Sequence, residues 1–190
     1  MDLNEIYQID QYIDTFALGH YARVLAATDL REDSTVAFKV MRPEHLLPDG
    51  DVRWEFRAFA NEAEILRILD SSPHLVRLHD CGYLSSVAEA PGEGEIESFG
   101  NNVTAFGTEM HEFALQGWRP YLALEYLPRM SNLFYSMRGS GGNNGPVRRR
   151  LPSEEGITLA LQFANLLKQA HQNKIVYLDH KLEHIYWDGV

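Results

Sequence analysis

The sequence predicts an α+β fold in which an antiparallel sheet precedes a helical region. Within residues 7–40, three short segments rich in β-branched and aromatic residues are separated by turn-forming residues, as in consecutive strands. Residues 51–70 have the strongest helical periodicity in the chain, and a second helix pattern begins at residue 151. Strands followed by helices, rather than a regular alternation of the two, are typical of this class.

The composition limits the possible classes of function. With 45% hydrophobic residues in 190, the chain can fill a sizeable core, as one domain or two small lobes. A net charge of −10 argues against general nucleic-acid binding, which needs a basic face. The N-terminus lacks a signal-peptide core, and no run of about 18 apolar residues is present. With a single cysteine, Cys81, interpreted as a buried apolar residue, this predicts a cytoplasmic protein without a membrane segment.

The predicted strands cover residues 7–16, 23–28 and 35–40, and residues 17–22 join the first two. Lys39 lies in the third strand, within the sequence Val-Ala-Phe-Lys. An unpaired ammonium group in an apolar strand is costly, so Lys39 requires a nearby anion. The alternative is an edge-strand lysine that points to water.

The helix predicted over residues 51–70 carries a carboxylate on its apolar face. This residue is Glu62, which needs a partner, and Lys39 is the candidate. The alternative is a glutamate at the rim of the face. The face follows the i, i+3, i+4, i+7 spacing and also includes Phe59, Ile65, Leu66 and Leu69.

Residues 74–78 and 121–124 are predicted to be two further strands, with an insertion over residues 85–119 between them. The insertion's first half, over residues 88–102, is rich in Gly, Glu and Asn, and we expect it to be mobile. Its aromatic second half is expected to extend the sheet or to pack on it.

The remaining chain is predicted to be mostly helical before a final loop. A short helix over residues 131–137 precedes a flexible linker over residues 138–150. The next helix has Ser153 as its N-cap, and we interpret His171, near its end, as a packed core histidine.

Residues 175–186 contain two short apolar runs around a polar loop, which predicts strand, loop and strand. The loop carries Asp179 and Lys181, which are either a solvated surface pair or the centre of a phosphoryl-transfer site. His180 and His184 have a spacing that suits a metal site on a helix, whereas this segment is predicted to be a loop.

These motifs, in this order, resemble those of eukaryotic-type serine/threonine protein kinases, in their bacterial style. Asp179 matches the catalytic Asp, Lys181 matches the Lys two residues after it, and His184 stands where the family has its metal-binding Asn. Lys39 matches the Lys that holds the α- and β-phosphates of ATP. Glu62 matches the Glu of helix C that pairs with this Lys.

The resemblance also implies an adenine pocket. Gly19 is the one glycine kept from the family's Gly-rich loop, which residues 17–22 match in part, and the alternative for these residues is a plain hairpin. The other implied pocket residues are Val24, Ala37, the gatekeeper Leu124, the hinge residues Glu125 and Leu127 through their backbone, and Tyr186 at the pocket floor.

The resemblance implies a kinase-like N-lobe with hinge over residues 1–127, which contains the insertion 85–119. Residues 128–190 would form the start of a helical C-lobe: the short helix, the linker, helix E and the catalytic loop. No D-F-G motif occurs in the 190 residues, so we expect a chain truncated after the catalytic loop and inactive alone. ATP and Mg²⁺ are the implied cofactors. We expect their binding to be weak or absent, because glycines are lost and an imidazole replaces an amide oxygen.

Two functions follow as hypotheses. The first is a fragment of a serine/threonine protein kinase that transfers the ATP γ-phosphoryl group to a protein substrate. The alternative is a catalytically inactive pseudokinase that binds a regulatory protein. In either case we expect the apolar faces around Leu161, Leu167 and Ile175 to contact the rest of a C-lobe or a second copy of the chain.

Overall fold

The computed structural model describes residues 1–10, 21–46, 52–128, 131–137 and 150–187. The chain divides into two compact units. The first unit comprises Met1–Asp70 and Val76–Tyr126, and the second comprises Ser71–Leu75 and Leu127–Val190. Within the described ranges, no helix is both long enough and apolar enough to cross a membrane.

The first unit is built on an antiparallel sheet. Its six strands, counted over the described residues, lie in the order β1-β2-β3-β6-β4-β5. β2 and β3 pair along their whole length, from Ala22 opposite Met41 to Asp29 opposite Ser34. The turn between them holds Asp33 at a φ of 50°, which Asp tolerates better than most residues. The strands are β1 (Tyr7–Ile9), β2 (Ala22–Asp29), β3 (Ser34–Met41), β4 (Leu78–Leu84), β5 (Ile96–Ser98) and β6 (Arg119–Glu125).

The two faces of the sheet differ because side chains alternate along each strand. In β3, Phe38 is buried on one face, while its neighbours Ala37 and Lys39 are half-buried on the other. Phe38 stacks on Tyr121 with ring centroids 4.8 Å apart, and helix α1 (Leu3–Ile6) contributes to the same core. The main core therefore lies on the Phe38 face, and Lys39 belongs to the opposite face.

Helix α2 (Trp54–Ile68) confirms the strongest predicted helix, with bounds slightly inside residues 51–70. Glu62 is half-buried on it, as expected for a carboxylate within an apolar face. α2 packs against β4, β6 and a helix of the insertion. Its buried apolar residues are Phe56, Phe59, Ala63 and Leu66.

The fourth strand corrects a prediction, because β4 lies C-terminal to most of residues 74–78. Asp80 and Gly82 interrupt the apolar pattern of this strand, but each of them is needed for a contact with another strand. Asp80 accepts a hydrogen bond from the Tyr7 hydroxyl at 2.7 Å. A Cβ atom at Gly82 would overlap the carbonyl oxygen of Glu97. Such contacts are distant in sequence and leave no local pattern.

The insertion is folded onto the first unit in both halves. Its first half, for which we expected mobility, pairs with β4 as β5, since Ile96 is fully buried opposite Leu84. Its second half forms α3 (Val103–Thr108) and α4 (Met110–Leu115). Phe113, on α4, stacks on Tyr83 with centroids 4.4 Å apart. The first half thus extends the sheet, and the second half packs on it.

The second unit contains α5 (Leu133–Ser136) and α6 (Ser153–Gln172), which confirm the two helices predicted there. Apart from its last residue, the linker predicted over residues 138–150 lies outside the described residues. The predicted N-cap is wrong by one position. Pro152 is the N-cap of α6 and makes no side-chain capping hydrogen bond, so Ser153 is already helical.

α6 is mostly exposed within its unit. Ala170 is its one buried residue, and all residues of this helix are described. His171 is exposed, which corrects its interpretation as a packed core histidine. Ile157 and Leu161 are each 61% exposed.

The segment after α6 is less regular than predicted. Residues 175–181 form no strand, and a 3₁₀ turn covers Leu182–His184. Tyr186 is half-buried and makes an isolated antiparallel bridge with Asn132. The N–H of Trp187 donates to the carbonyl of Ser131 at 2.7 Å. These backbone contacts attach the loop to the start of α5, and they replace the second predicted strand.

Candidate functional site

The Lys39–Glu62 ion pair joins β3 to α2 on the sheet face opposite the main core. Lys39 Nζ lies 2.5 Å from a Glu62 carboxylate oxygen. The side chains are 16% and 31% exposed, so the pair is largely shielded from water. The predicted ion pair is confirmed, and neither charge simply faces bulk solvent.

The surroundings of Lys39 favour its charged state. Burial alone would lower the pKa of Lys39, but the Glu62 carboxylate and the Tyr21 hydroxyl outweigh it and hold that pKa above its usual value. Nζ also lies 5.6 Å from the ring centroids of both Tyr21 and Phe59, within cation–π range. Lys39 is therefore a positioned, shielded cation, which suits it to binding phosphate as a point charge.

Three residues predicted for the adenine pocket share the sheet face of Lys39. Val24 lies directly opposite Lys39 across the β2–β3 pair, and Ala37 lies opposite Leu124 across the β3–β6 pair. Directly opposite residues point to the same face, so these side chains form one patch. Val24 and Ala37 are half-buried, and Leu124 is 9% exposed. A small apolar surface beside a cation can accept a flat base on one side and phosphates on the other.

The predicted hinge residues lie at the end of β6 and just after it. The Glu125 N–H donates to the Arg77 carbonyl at 2.9 Å, and the Glu125 side chain accepts from the Arg77 N–H at 3.2 Å. Leu127 begins the main segment of the second unit. The adenine-binding role of both backbones stays a prediction. Gly19 lies outside the described residues.

In the second unit, Asp179 and Lys181 form an ion pair of 2.9 Å. Both are well exposed, at 64% for Asp179 and 47% for Lys181. A hydrogen bond from Lys181 lowers the pKa of Asp179, and the neighbouring His184 acts in the same direction. The carboxylate is therefore ionised at neutral pH and able to accept a proton. This geometry is compatible both with a solvated pair and with a phosphoryl-transfer centre.

His184 was the predicted metal ligand. Its Nδ1 lies 2.9 Å from the Tyr177 hydroxyl and 3.1 Å from the carbonyl of Asp179. His180 instead packs edge-on against Tyr177 and Phe163. Within the part of the chain that the structure describes, no three His, Cys, Asp or Glu side chains are placed to hold a metal ion. Since Mg²⁺ prefers oxygen ligands in octahedral geometry, the donors present do not fit it.

The structure thus forms two groups of candidate residues, one in each unit. Sequence reasoning missed Tyr21 in the first group, although its ring lies against Lys39. The available signal was a large aromatic side chain just before β2, in the segment that matches a glycine-rich loop. The two groups are Val24, Ala37, Lys39, Glu62 and Leu124 in the first unit, and Asp179, Lys181 and His184 in the second.

Comparison with known sequences gives a distant similarity to a protein kinase. No family model matches the chain. The rabbit (Oryctolagus cuniculus) protein kinase C zeta type is 23% identical over 171 residues, which is 90% of this chain and 21% of the relative. The chain therefore spans about a fifth of that relative's length.

Comparison with solved structures identifies the fold. The crystal structure of Rad53 1–466 in complex with AMP-PNP is similar over 96% of this chain and 35% of the Rad53 chain, with a TM-score of 0.57 and 17% identity. This confirms the predicted α+β class, with a curled antiparallel sheet, helix α2 and a helical second part. The chain has a protein-kinase-like fold, and its distant sequence similarity also points to kinases.

Proposed function

We propose that the chain is the nucleotide-binding and catalytic-loop part of a cytoplasmic serine/threonine protein kinase. The observation that carries this proposal is the Lys39–Glu62 pair, a shielded cation held 2.5 Å from a helix carboxylate. The apolar patch of Val24, Ala37 and Leu124 lies beside this cation, and its surface suits the binding of an adenine ring. In support, the structurally similar Rad53 chain was crystallised with AMP-PNP, an ATP analogue.

In this proposal each unit supplies one part of the chemistry. ATP supplies the γ-phosphoryl group, and Lys39 binds oxygens of its α- and β-phosphates. The ionised Asp179 orients the Ser or Thr hydroxyl of a protein substrate and accepts its proton as the oxygen attacks the γ-phosphorus. The bond from that phosphorus to the bridging oxygen breaks, and ADP leaves. Lys181 offsets negative charge on the transferring group. Because the described donors do not fit Mg²⁺, we assign no step to a metal.

The domain organisation belongs to the same proposal. Residues 1–127 act as an N-lobe with hinge, and residues 128–190 act as the start of a C-lobe. Adenine contacts the backbone of Glu125 and Leu127, with Tyr186 at the pocket floor.

The test is transfer of labelled phosphate from ATP to a basic protein, using the longest natural protein that contains these 190 residues. Asp179→Asn should reduce the transfer rate about 100-fold or more, the usual contribution of a general base. The matched control is Asp70→Asn, since Asp70 is exposed in the other unit. The 190-residue chain alone, which contains no D-F-G motif, should show no transfer. Transfer that Asp179→Asn leaves unchanged would overturn the proposal.

A second candidate function is a kinase-like module that binds a regulatory protein without catalysis. It is favoured by the contacts of His184 Nδ1 with the Tyr177 hydroxyl and the Asp179 carbonyl, which tie this side chain to its own loop. The same assay separates the two functions. Failure of every natural protein containing the chain to transfer phosphate, with its fold intact, would favour the binding module.

A further inference from the structure

Tyr21 is held in a defined position next to the Lys39–Glu62 pair. Its carbonyl accepts a hydrogen bond from the N–H of Arg42 at 2.9 Å, just beyond the end of β3. Its ring makes edge contacts with Trp54 and Phe59 of α2, with centroid separations of 5.1 and 5.9 Å. The Tyr21 backbone is thus held by the residue after β3, and its half-buried ring rests against α2 beside Lys39.

The immediate surroundings of Lys39 Nζ are already occupied. Glu62 takes one of its hydrogen bonds at 2.5 Å. The rings of Tyr21 and Phe59 each lie 5.6 Å from Nζ, and the Lys39 side chain is only 16% exposed. These neighbours cover part of the surface through which an anion could reach Nζ. Phe59 is fully buried and Glu62 lies on the same helix, whereas Tyr21 is half-buried and precedes β2, so Tyr21 is the neighbour that can withdraw.

We propose that Tyr21 restricts the access of phosphate groups to Lys39, and so determines how strongly the site discriminates between a nucleotide and its bare nucleoside. This inference rests on the proposed function, because it concerns the same nucleotide site. It adds a specificity-determining residue to that site.

The chemistry separates the two parts of a nucleotide. In the proposed site, adenosine needs the apolar patch of Val24, Ala37 and Leu124 and the adenine contacts at and just after the end of β6, and it needs no contact with Lys39. AMP-PNP needs the same patch and also the Lys39 ammonium, from which the Tyr21 side chain must first withdraw. Removal of the Tyr21 ring should therefore strengthen the binding of AMP-PNP and leave the binding of adenosine unchanged.

The experiment measures the Kd of AMP-PNP and of adenosine by isothermal titration calorimetry, with the longest natural protein that contains these 190 residues. Tyr21→Ala should lower the Kd of AMP-PNP about tenfold, the effect of one shielded cation–π contact. The Kd of adenosine should stay within about twofold, since no contact to the apolar patch changes. Tyr135→Ala, in the second unit, is the matched control and should change neither Kd.

A second variant guards against a folding defect of Tyr21→Ala. Trp54 is 60% exposed and supports the Tyr21 ring from the start of α2, so Trp54→Ala should loosen Tyr21 without opening the core. It should also lower the Kd of AMP-PNP selectively, by a smaller factor. Thermal unfolding of each variant confirms that it is folded.

The outcomes are distinguishable. A selective gain in AMP-PNP affinity for both variants supports the inference. If adenosine and AMP-PNP bind, but neither variant changes the AMP-PNP Kd, the inference fails and the proposed function stands. If neither ligand binds to any folded variant, the proposed nucleotide site is wrong, and the role of Tyr21 is refuted with it.

Discussion

Replacement of Asp80 should strongly destabilise the first unit. Asp80 is a fully buried carboxylate on β4, and it is held by groups from four other places in the chain. Its donors are the hydroxyls of Tyr7, Ser98 and Tyr121, the backbone N–H of Gly100 and the guanidinium of Arg31, at 2.7 to 3.2 Å. Burial and the adjacent carboxylate raise the pKa values of Tyr7 and Tyr121, so both phenols stay protonated and donate.

The magnitude follows from this geometry. Removal of one partner from a buried charged network costs about 3–5 kcal/mol, because the remaining polar groups stay buried and unpaired. We expect a loss in this range for Asp80→Ala, which also leaves a cavity. Asp80→Asn keeps the volume and one acceptor oxygen but loses the charge that faces Arg31, so about 2 kcal/mol is expected, within the range for hydrogen bonds to charged groups. Since domains are stable by about 5–15 kcal/mol, either loss is measurable.

The assay is urea unfolding followed by tryptophan fluorescence, with the midpoint and the slope compared among variants. Asp70→Asn is the matched control, since Asp70 is exposed and the same atoms change. It should stay within about 0.5 kcal/mol of the wild type. An Asp80→Asn chain as stable as the Asp70→Asn chain would refute the reasoning that this buried carboxylate organises its neighbours.

Three further predictions concern a thiol, a carboxylate and an exposed face. Burial, with Asp80 adding to it, raises the pKa of Cys81 to about 12, so the native thiol should resist Ellman's reagent at pH 8 and react only in denaturant. Burial alone would raise the pKa of Asp29, but hydrogen bonds from Arg31 outweigh this and hold that pKa below its usual value. The stabilisation by ionised Asp29 is therefore present at neutral pH and is lost as the pH falls through the lowered pKa, so Asp29→Asn should flatten the fall in Tm below about pH 4. Because Ile157 and Leu161 are each 61% exposed, light scattering should detect association that Leu161→Glu weakens, and a monomer at every concentration would contradict this.

The features predicted from sequence are those encoded by a local pattern. The i, i+3, i+4 spacing identified α2, and it placed Glu62 on the half-buried face where the structure finds it. Lys39 followed from the Val-Ala-Phe-Lys strand, in which a charge has few ways to be satisfied. Two isolated charges on neighbouring apolar elements point to each other, so their contact could be predicted without a structure.

The features missed from sequence depend on contacts between distant segments. The strand predicted over residues 74–78 lies before most of β4, because the partners that place Asp80 and Gly82 in a strand lie on other strands. Tyr21 had no assigned role, because its position beside Lys39 depends on contacts with Trp54 and Phe59 of α2, which is distant in sequence. The N-cap of α6 was misplaced for a different reason. Pro152 occupies the N-cap position, although its side chain cannot accept a capping hydrogen bond. The helix therefore begins at Ser153, one residue earlier than a Ser153 N-cap would allow.

The insertion shows how such distant contacts bear on the site. The position of Glu62 depends on α2, and α2 packs against α3 of the insertion. α3 is fixed in turn, because the Tyr83 hydroxyl donates to the Phe106 carbonyl at 2.6 Å and Phe113 stacks on the same tyrosine ring. The insertion, whose composition predicts that its first half is mobile, therefore helps to position Glu62. The geometry of the Lys39–Glu62 pair thus depends on the insertion over residues 85–119 as well as on the two elements that carry it.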